Sequence, residues 1–266
     1  MAKSLLGKIQ SYFWDKTRWS LPPIAKPWFR GHEDKKWKLA PSIFRDGWDE
    51  FEFPLTKRFR LLAPGFGVEI PKRHLDEWLF LMQHNRAPTR LLDWTESLNT
   101  AIFFACLDSI EKRDRDKDGV VYALNPIFLN KQQDIKSRDF PPTWIQGRVL
   151  QTIKFAFGTA DERVKGKKIV PLELPVAIFP STVHGRMRSQ KSCFTLHGTD
   201  KSGLSEIFSR FGWSKKMLVK YVISKDNKRR LVSELALAGT TFSTVYPDLE
   251  GLAKDLQFHV RDPIRR

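Results

Sequence analysis

The sequence predicts a mixed α+β fold, on three observations. Strand signals such as VVYALNP (120–126) and MLVKYVIS (217–224) alternate with apolar positions at helical spacing, as in LDEWLFLMQH (75–84) and LSEIFSRFG (204–212). Strands interspersed with helices are built by α+β or mixed α/β domains. Hydrophobic residues make up 41% of the 266, with 9 Trp and 20 Phe, which suffices for a sizeable core and argues against disorder.

Residues 1–20 read as a short amphipathic helix, and LPPIAKP (21–27) as a rigid extended connector into the strand WFRGH (28–32). WKLAPSIFR (37–45) is a loop in which Pro41 and Ser42 start a short turn. A helix follows Pro54 in FEFPLTKRFRLLA, and a Gly/Pro-rich connection spans 63–71. Leu75, Trp78, Leu79 and Met82 recur at i, i+3, i+4 and i+7, so 75–84 is helical. Pro88 stops that helix. Thr95 or Ser97 caps the next, a largely buried segment through Leu98, Ile102, Phe103 and Cys106. DSIEKRDRDKDG (108–119) reads as a solvated charged turn. Beyond it, residues 128–168 are rich in Lys and Arg without a clear period, and 139–143 hold two prolines. LELPVAIFP (172–180) and CFTLHG (193–198) read as strands, RLVSELALAG (230–239) as a helix ending at Gly239, and LEGLAKDLQF as a final helix. The expected organisation is an N-terminal helical arm and connector over 1–27, one domain over 28–258, and a basic tail over 259–266. No internal repeat or low-complexity tract appears.

A formal net charge of +16 and a pI near 9.9 suit polyanions: DNA, RNA or an acidic protein. No apolar run approaches the roughly 20 residues that span a bilayer. The N-terminus is too polar for a secretion signal. Cys106 and Cys193 are the only cysteines, and together these features point to a reduced, cytoplasmic protein. The six histidines are scattered, so no metal site is expected. Phosphate-binding loops, dinucleotide glycine fingerprints, HExxH and GxSxG are absent. No spacing joins Ser42 or Ser192 to His84 or His184 as a catalytic triad.

The most informative stretch is LFLMQHNRAPTRLLDWTESLNTAIFFA (79–105). It reads as helix, loop, helix. In the loop, Leu91, Leu92 and Trp94 want burial, and Arg90, Asp93 and Thr95 would be dragged in with them. Burying a polar group costs roughly 2–7 kcal/mol unless it is paired. Two readings follow: an Arg90–Asp93 pair stitching the loop, or the floor of a ligand pocket.

PTRLLDWT before an apolar helix, together with WFRG at 28–31 and WKLAPSIFR at 37–45, resembles the FRG domain, a bacterial and phage-borne family named for its Phe-Arg-Gly motif. RMRSQKSCFTLHG (186–198) and VYPDLEGLAKDL (245–256) fit the same pattern, so the resemblance extends from Trp28 to Leu256. Two positions depart from it. The usual polar amide after the Gly is His32, a side chain that titrates near neutral pH, and a usual Gly between QH and PTR is Arg86, which is expected to alter the loop geometry.

A more distant resemblance concerns the order of elements. A strand Arg (Arg30, beside Gly31), a Thr-bearing segment (Thr89, Thr95) leading into an Ala/Phe-rich helix, and a polar residue opening a later strand (Gln190) look like ADP-ribosyltransferases of the Arg/Ser-Thr-Ser/Glu type. That resemblance implies split antiparallel sheets with surrounding helices. It places Arg30, Gly31, His32, Thr89, Arg90 and Trp94 around NAD, and Gln190, Thr95 and Asp93 in the catalytic positions. A guanidinium fork suits the phosphate oxygens. Where those enzymes carry a Glu whose charge stabilises an oxocarbenium-like transition state, this chain has the uncharged Gln190; Asp93, Glu206 or Glu234 would have to supply the charge. The implied role is a nucleotide-binding, ADP-ribosyltransferase-like toxin or phage-defence effector. The competing reading is a non-catalytic nucleic-acid-binding or protein-interaction module in phage defence or counter-defence. Basic segments with aromatics, KTRW, KRFR, KFAFG and SRFGWSKK, support it.

Overall fold

The computed structural model describes residues 4–22, 25–111, 117–133, 147–159, 163–164, 167–168, 170–180 and 189–261. Residues 139–143, 186–188 and 262–266, about which the sequence raised expectations, lie outside them. The fold is α+β. Eleven helices are described: α1 (Leu5–Lys16), α2 (Glu52–Leu62), α3 (Leu75–His84), α4 (Leu98–Ala105), α5 (Leu107–Glu111), α6 (Pro126–Lys131), α7 (Gly147–Ala156), α8 (Leu204–Arg210), α9 (Lys225–Leu237), α10 (Phe242–Val245) and α11 (Leu249–Arg261). The strands are β1 (Trp28–His32), β2 (Leu91–Thr95), β3 (Gly119–Leu124), β4 (Arg163–Val164), β5 (Lys167–Lys168), β6 (Val176–Ile178), β7 (Ser192–Leu196) and β8 (Leu218–Ile223). β4 and β5 pair antiparallel with each other, and the other six form an antiparallel sheet in the order β6-β7-β2-β1-β3-β8.

That sheet has two three-stranded halves. β1 pairs with β3 along its whole length, and β2 pairs with β7 along its whole length. Between β1 and β2 the only register pair is Phe29 with Thr95.

Strand alternation sends successive side chains to opposite faces. On one face, Phe29, Val121 and Ala123 pack with Leu6, Ile9 and Phe13 of α1, with Ile102 and Phe103 of α4, and with Leu231 and Leu235 of α9. The α1 residues recur at i, i+3 and i+7, and the Ser4 hydroxyl caps that helix by accepting from the Gly7 amide. Trp28, Val120, Tyr122 and Leu124 turn the other way, toward Leu129 of α6 and Leu204 and Phe208 of α8. Phe194, Leu196, Val176 and Ile178 meet Trp78, Leu79 and Met82 of α3 and Val149 and Ile153 of α7.

Three expectations fail here. LLDWT is strand β2, not an interhelical loop, because Pro88 ends α3 and β7 offers a full ladder of partners. The strand expected over 172–180 shrinks to Val176–Ile178, since Pro175 has no N–H to pair. The charged stretch after α4 is not solvated throughout: Asp108 is buried and accepts two hydrogen bonds from Lys228 Nζ, at 2.9 and 2.7 Å.

Gly31 explains how closely α4 lies on the sheet. A Cβ at this position would stand 1.9 Å from the Ala101 carbonyl oxygen and 2.7 Å from the Ala105 nitrogen. At Gly31, a position the distant resemblance sets beside NAD, the close neighbour is the helix backbone. Gly31→Ala is therefore expected to destabilise by at least about 2 kcal/mol, the order of an overpacked core, read as a lower denaturation midpoint in urea.

Candidate functional site

Where β1 and β2 fail to zip together, a cleft of about 390 Å³ opens, within the rough 300–1,000 Å³ range of small-molecule sites. Arg30, Gly31 and His32 line one lip, and the run from Leu91 to Thr95 lines the other. Trp37 and Arg45 come from the segment after β1, Gln83 and Arg86 from the end of α3, Phe104 from α4, and Gln190 and Tyr246 from later in the chain. The site thus joins residues more than 200 positions apart.

Arg30 spans the gap. Its Nη1 donates to the Asp93 carbonyl at 2.6 Å, replacing a missing ladder bond, and its Nε donates to His32 Nε2 at 2.8 Å. The Asp93 carboxylate is 3.7 Å away and half exposed. Burial lowers the Arg30 pKa to about 10, opposed by Asp93 and assisted by Arg45, so the group stays cationic at neutral pH. His32 accepts from that cation and is neutral. Burial first, then Arg30 and Arg45, hold it well below the usual histidine range. The expectation of titration near neutrality is overturned: His32 serves as an acceptor, the job an amide carbonyl would do.

The second lip is braced from behind. Arg90 is 2% exposed and pairs with Glu52 through Nε (2.7 Å) and Nη2, while Nη1 donates to the carbonyls of His197 (3.0 Å) and Gly198 (2.7 Å). Phe44 and Phe155 lie against the guanidinium. The expected Arg90–Asp93 pair does not form. β-strand alternation turns Arg90 inward toward α2 and leaves Asp93 at the cleft, where its carboxylate accepts from Gln83 Nε2 at 2.7 Å. Gln83 also accepts from the Thr89 hydroxyl.

Of the residues singled out from sequence, Arg30, Gly31, His32, Asp93, Trp94, Thr95 and Gln190 line the cleft; Thr89 and Arg90 stand outside it. The Thr95 hydroxyl is committed to the backbone. It donates to the Gln190 carbonyl at 2.6 Å and accepts from the Ser97 amide at 2.9 Å. Gln190 Nε2 donates to the Val245 carbonyl at 3.2 Å. Asp255 organises that segment by accepting from the Phe242 and Ser243 amides and from the Thr241 and Ser243 hydroxyls. The LEGLAKDL stretch therefore sets the wall that carries Tyr246.

Sequence reading missed Arg45, Gln83, Trp37 and Tyr246 as cleft residues. Arg45 closes the WKLAPSIFR motif and Gln83 opens QHNRAPTR, so both lay inside stretches already marked, but their direction depends on packing. Arg86, noted only for replacing a Gly, has φ 61°. It adopts the left-handed backbone that a glycine would supply without strain, and it brings a third arginine to the cleft lining. Among the described residues the non-glycine positions with positive φ are Asp46, Arg86 and Lys191. Each lines the cleft or directly follows a residue that does. Backbone strain of this kind concentrates at binding and catalytic sites.

Two outcomes test this support. Glu52→Gln leaves the buried Arg90 charge without its counter-ion and is expected to cost about 3–5 kcal/mol, measured by chemical denaturation. His197 is pushed down to about 3 by burial, with the Arg90 and Arg30 charges adding to the shift and Asp200 opposing it. Its unfolded value lies near 6.5, so the unfolded chain binds a proton that the folded one refuses. The stability is complete above pH 6.5 and drains away as pH falls toward 3. The slope reaches about 1.4 kcal/mol per pH unit. His197→Gln is expected to flatten the melting-temperature profile over that window, and an unchanged slope would contradict the assignment.

Among the described residues no helix is long and apolar enough to cross a membrane, and both cysteines are free and buried. No curated protein and no solved structure matches the chain. The family model of the FRG domain matches residues 25–114. The match holds β1, the WKLAPSIFR turn, α2, α3, β2 and α4, and thereby both lips of the cleft; the segments bearing Gln190 and Tyr246 lie beyond it. The chain carries an FRG domain, and the split between β1 and β2 lies inside it.

Proposed function

We propose that the cleft binds an anionic nucleotide and that the protein is an ADP-ribosyltransferase-like effector using NAD. The observation that carries this reading is the convergence of Arg30, Thr95 and Gln190 on one cleft at a split between two antiparallel half-sheets. Arg30, Arg45 and Arg86 supply three guanidiniums there, and Trp37, Phe104 and Tyr246 supply aromatic surface. Arg30 spends one Nη1 and its Nε on protein acceptors. It has a single carboxylate near it, and that carboxylate is half exposed. A mostly buried cation so weakly countered is stabilised by a phosphate.

NAD, when bound, supplies the ADP-ribosyl group. Arg30, with Arg45 and Arg86, would hold its phosphates, and Trp94 and Phe104 would exclude water. The Thr95 hydroxyl would act indirectly, by fixing the Gln190 backbone. Asp93, held by Gln83, would be the negative charge that Gln190 lacks. The toxin and phage-defence setting follows from the family resemblance, and the net charge of +16 favours DNA or RNA as partner over an acidic protein.

Titration calorimetry with NAD, ADP-ribose and ADP tests the reading. Arg30→Ala is expected to weaken all three about 10- to 100-fold, the worth of lost charge-assisted hydrogen bonds. Label transfer from NAD to nucleic acid separates enzyme from binder. If the wild-type chain binds none of the three at millimolar concentration, the cleft is not a nucleotide site.

A further inference from the structure

Between buried Asp34 and buried Leu39, four consecutive residues stand exposed: Lys35, Lys36, Trp37 and Lys38. Trp37 is 46% exposed, as Trp14 (71%) and Trp48 (44%) also are among the described residues, whereas Trp28, Trp78 and Trp94 are at most 3% exposed; of the three exposed rings it is the one that lines the cleft. The loop is nonetheless rigid. The Asp34 carboxylate accepts from the Lys36 amide at 2.8 Å, the Asp34 carbonyl accepts from the Trp37 amide at 3.1 Å, and the Lys35 amide donates to the Asp118 carbonyl at 2.8 Å. The Lys35 ammonium pairs with Asp118 at 2.8 Å. Trp37 is therefore held out at the cleft, its ring 6.0 Å from that of His32. Lys38 lies 3.4 Å from Glu206, in a side-chain pair that is mostly solvent-exposed, and the Lys36 ammonium makes no ion pair among the described residues.

We infer that this loop is a base-stacking platform for single-stranded nucleic acid, which it delivers to the mouth of the cleft. A held-out indole offers its face to any base, and the flanking ammoniums follow the backbone phosphates; that combination binds single strands with little sequence preference. A duplex keeps its bases stacked on one another and cannot use the ring. The inference deepens the nucleotide-cleft reading by naming the acceptor class as single-stranded DNA or RNA, and it rests on that reading only for the reaction, not for the binding.

The experiment uses the full chain with a fluorescein-labelled mixed-sequence 12-mer, single-stranded or annealed, and ADP as the cleft probe. Trp37→Ala is expected to weaken single-strand binding about 5- to 50-fold, the order of one lost base–aromatic stack. Trp37→Phe should recover most of it, and the melting temperature should hold because the ring is half exposed. Duplex affinity should change less than about twofold, and ADP affinity should fall by a clearly smaller factor than single-strand affinity. Lys36→Glu should lower the slope of log Kd against log salt by at least about 0.7, the single-strand share of one phosphate contact. Unchanged single-strand affinity in Trp37→Ala overturns the platform. So does an equal loss for duplex, which would mean that the ring does not act by stacking on unpaired bases, or an equal loss for ADP, which would assign Trp37 to the nucleotide cleft alone. If the wild type ignores ADP but binds single strands through Trp37, the platform stands and the nucleotide reading falls.

Discussion

Backbone amides and carbonyls along a strand must find partners or water, and between β1 and β2 a single pair, Phe29 with Thr95, does so. The opening beyond that pair is the constraint on which the rest of the site depends. Arg30 reaches across to the Asp93 carbonyl, so one lip satisfies the other through a side chain instead of a ladder. The outer strands hold the lips apart, since β1 is fully zipped to β3 and β2 to β7. A sheet closed at this point would have no cleft.

Each lip needs support from a different layer. α4 seats on β1 because Gly31 and Gly119 leave room for its backbone, at positions where a Cβ would meet the carbonyls of Ala101 and Ala105. β2 is held by Arg90, whose guanidinium is divided between Glu52 of α2 and the carbonyls just after β7. A buried ion pair of this kind adds little net stability over an apolar packing but is costly to break, so its main effect is to fix where β2 sits relative to α2. The Lys228–Asp108 pair does similar work behind β1, since the same ammonium also donates to the Glu33 carbonyl at 2.7 Å.

The electrostatics of the cleft follow from this geometry. Arg30, Arg45 and Arg86 share the lining with Asp93, whose carboxylate is half exposed, and with Glu33, and a neutral His32 serves Arg30 as an acceptor. Burial disfavours both the Arg30 charge and any charge on His32, but only the histidine has an ordinary pKa near enough to neutrality to give up its proton. The cleft thus keeps fixed positive charge across the neutral range.

Much of this was legible in the sequence, and the limit has a physical cause. Helical periodicity marked α1, α3, α4, α8, α9 and α11, and β-branched and aromatic runs marked β1, β3, β7 and β8, because those signals are local. The motifs WFRG and PTRLLDWT identified the domain and pointed to Arg30, Asp93, Trp94 and Thr95, and the order of elements added Gln190; all five line one cleft. Only the tertiary structure decided which polar residues face that cleft and which face the core. Arg90 and Asp93 are three residues apart, so strand alternation turns them to opposite faces, where a loop would have let them pair. Gly31 reads the same whether a ligand or a helix approaches it, and only the position of α4 distinguishes the two. A residue's type and spacing are set along the chain, but its partner is set by whichever distant segment the fold packs against it.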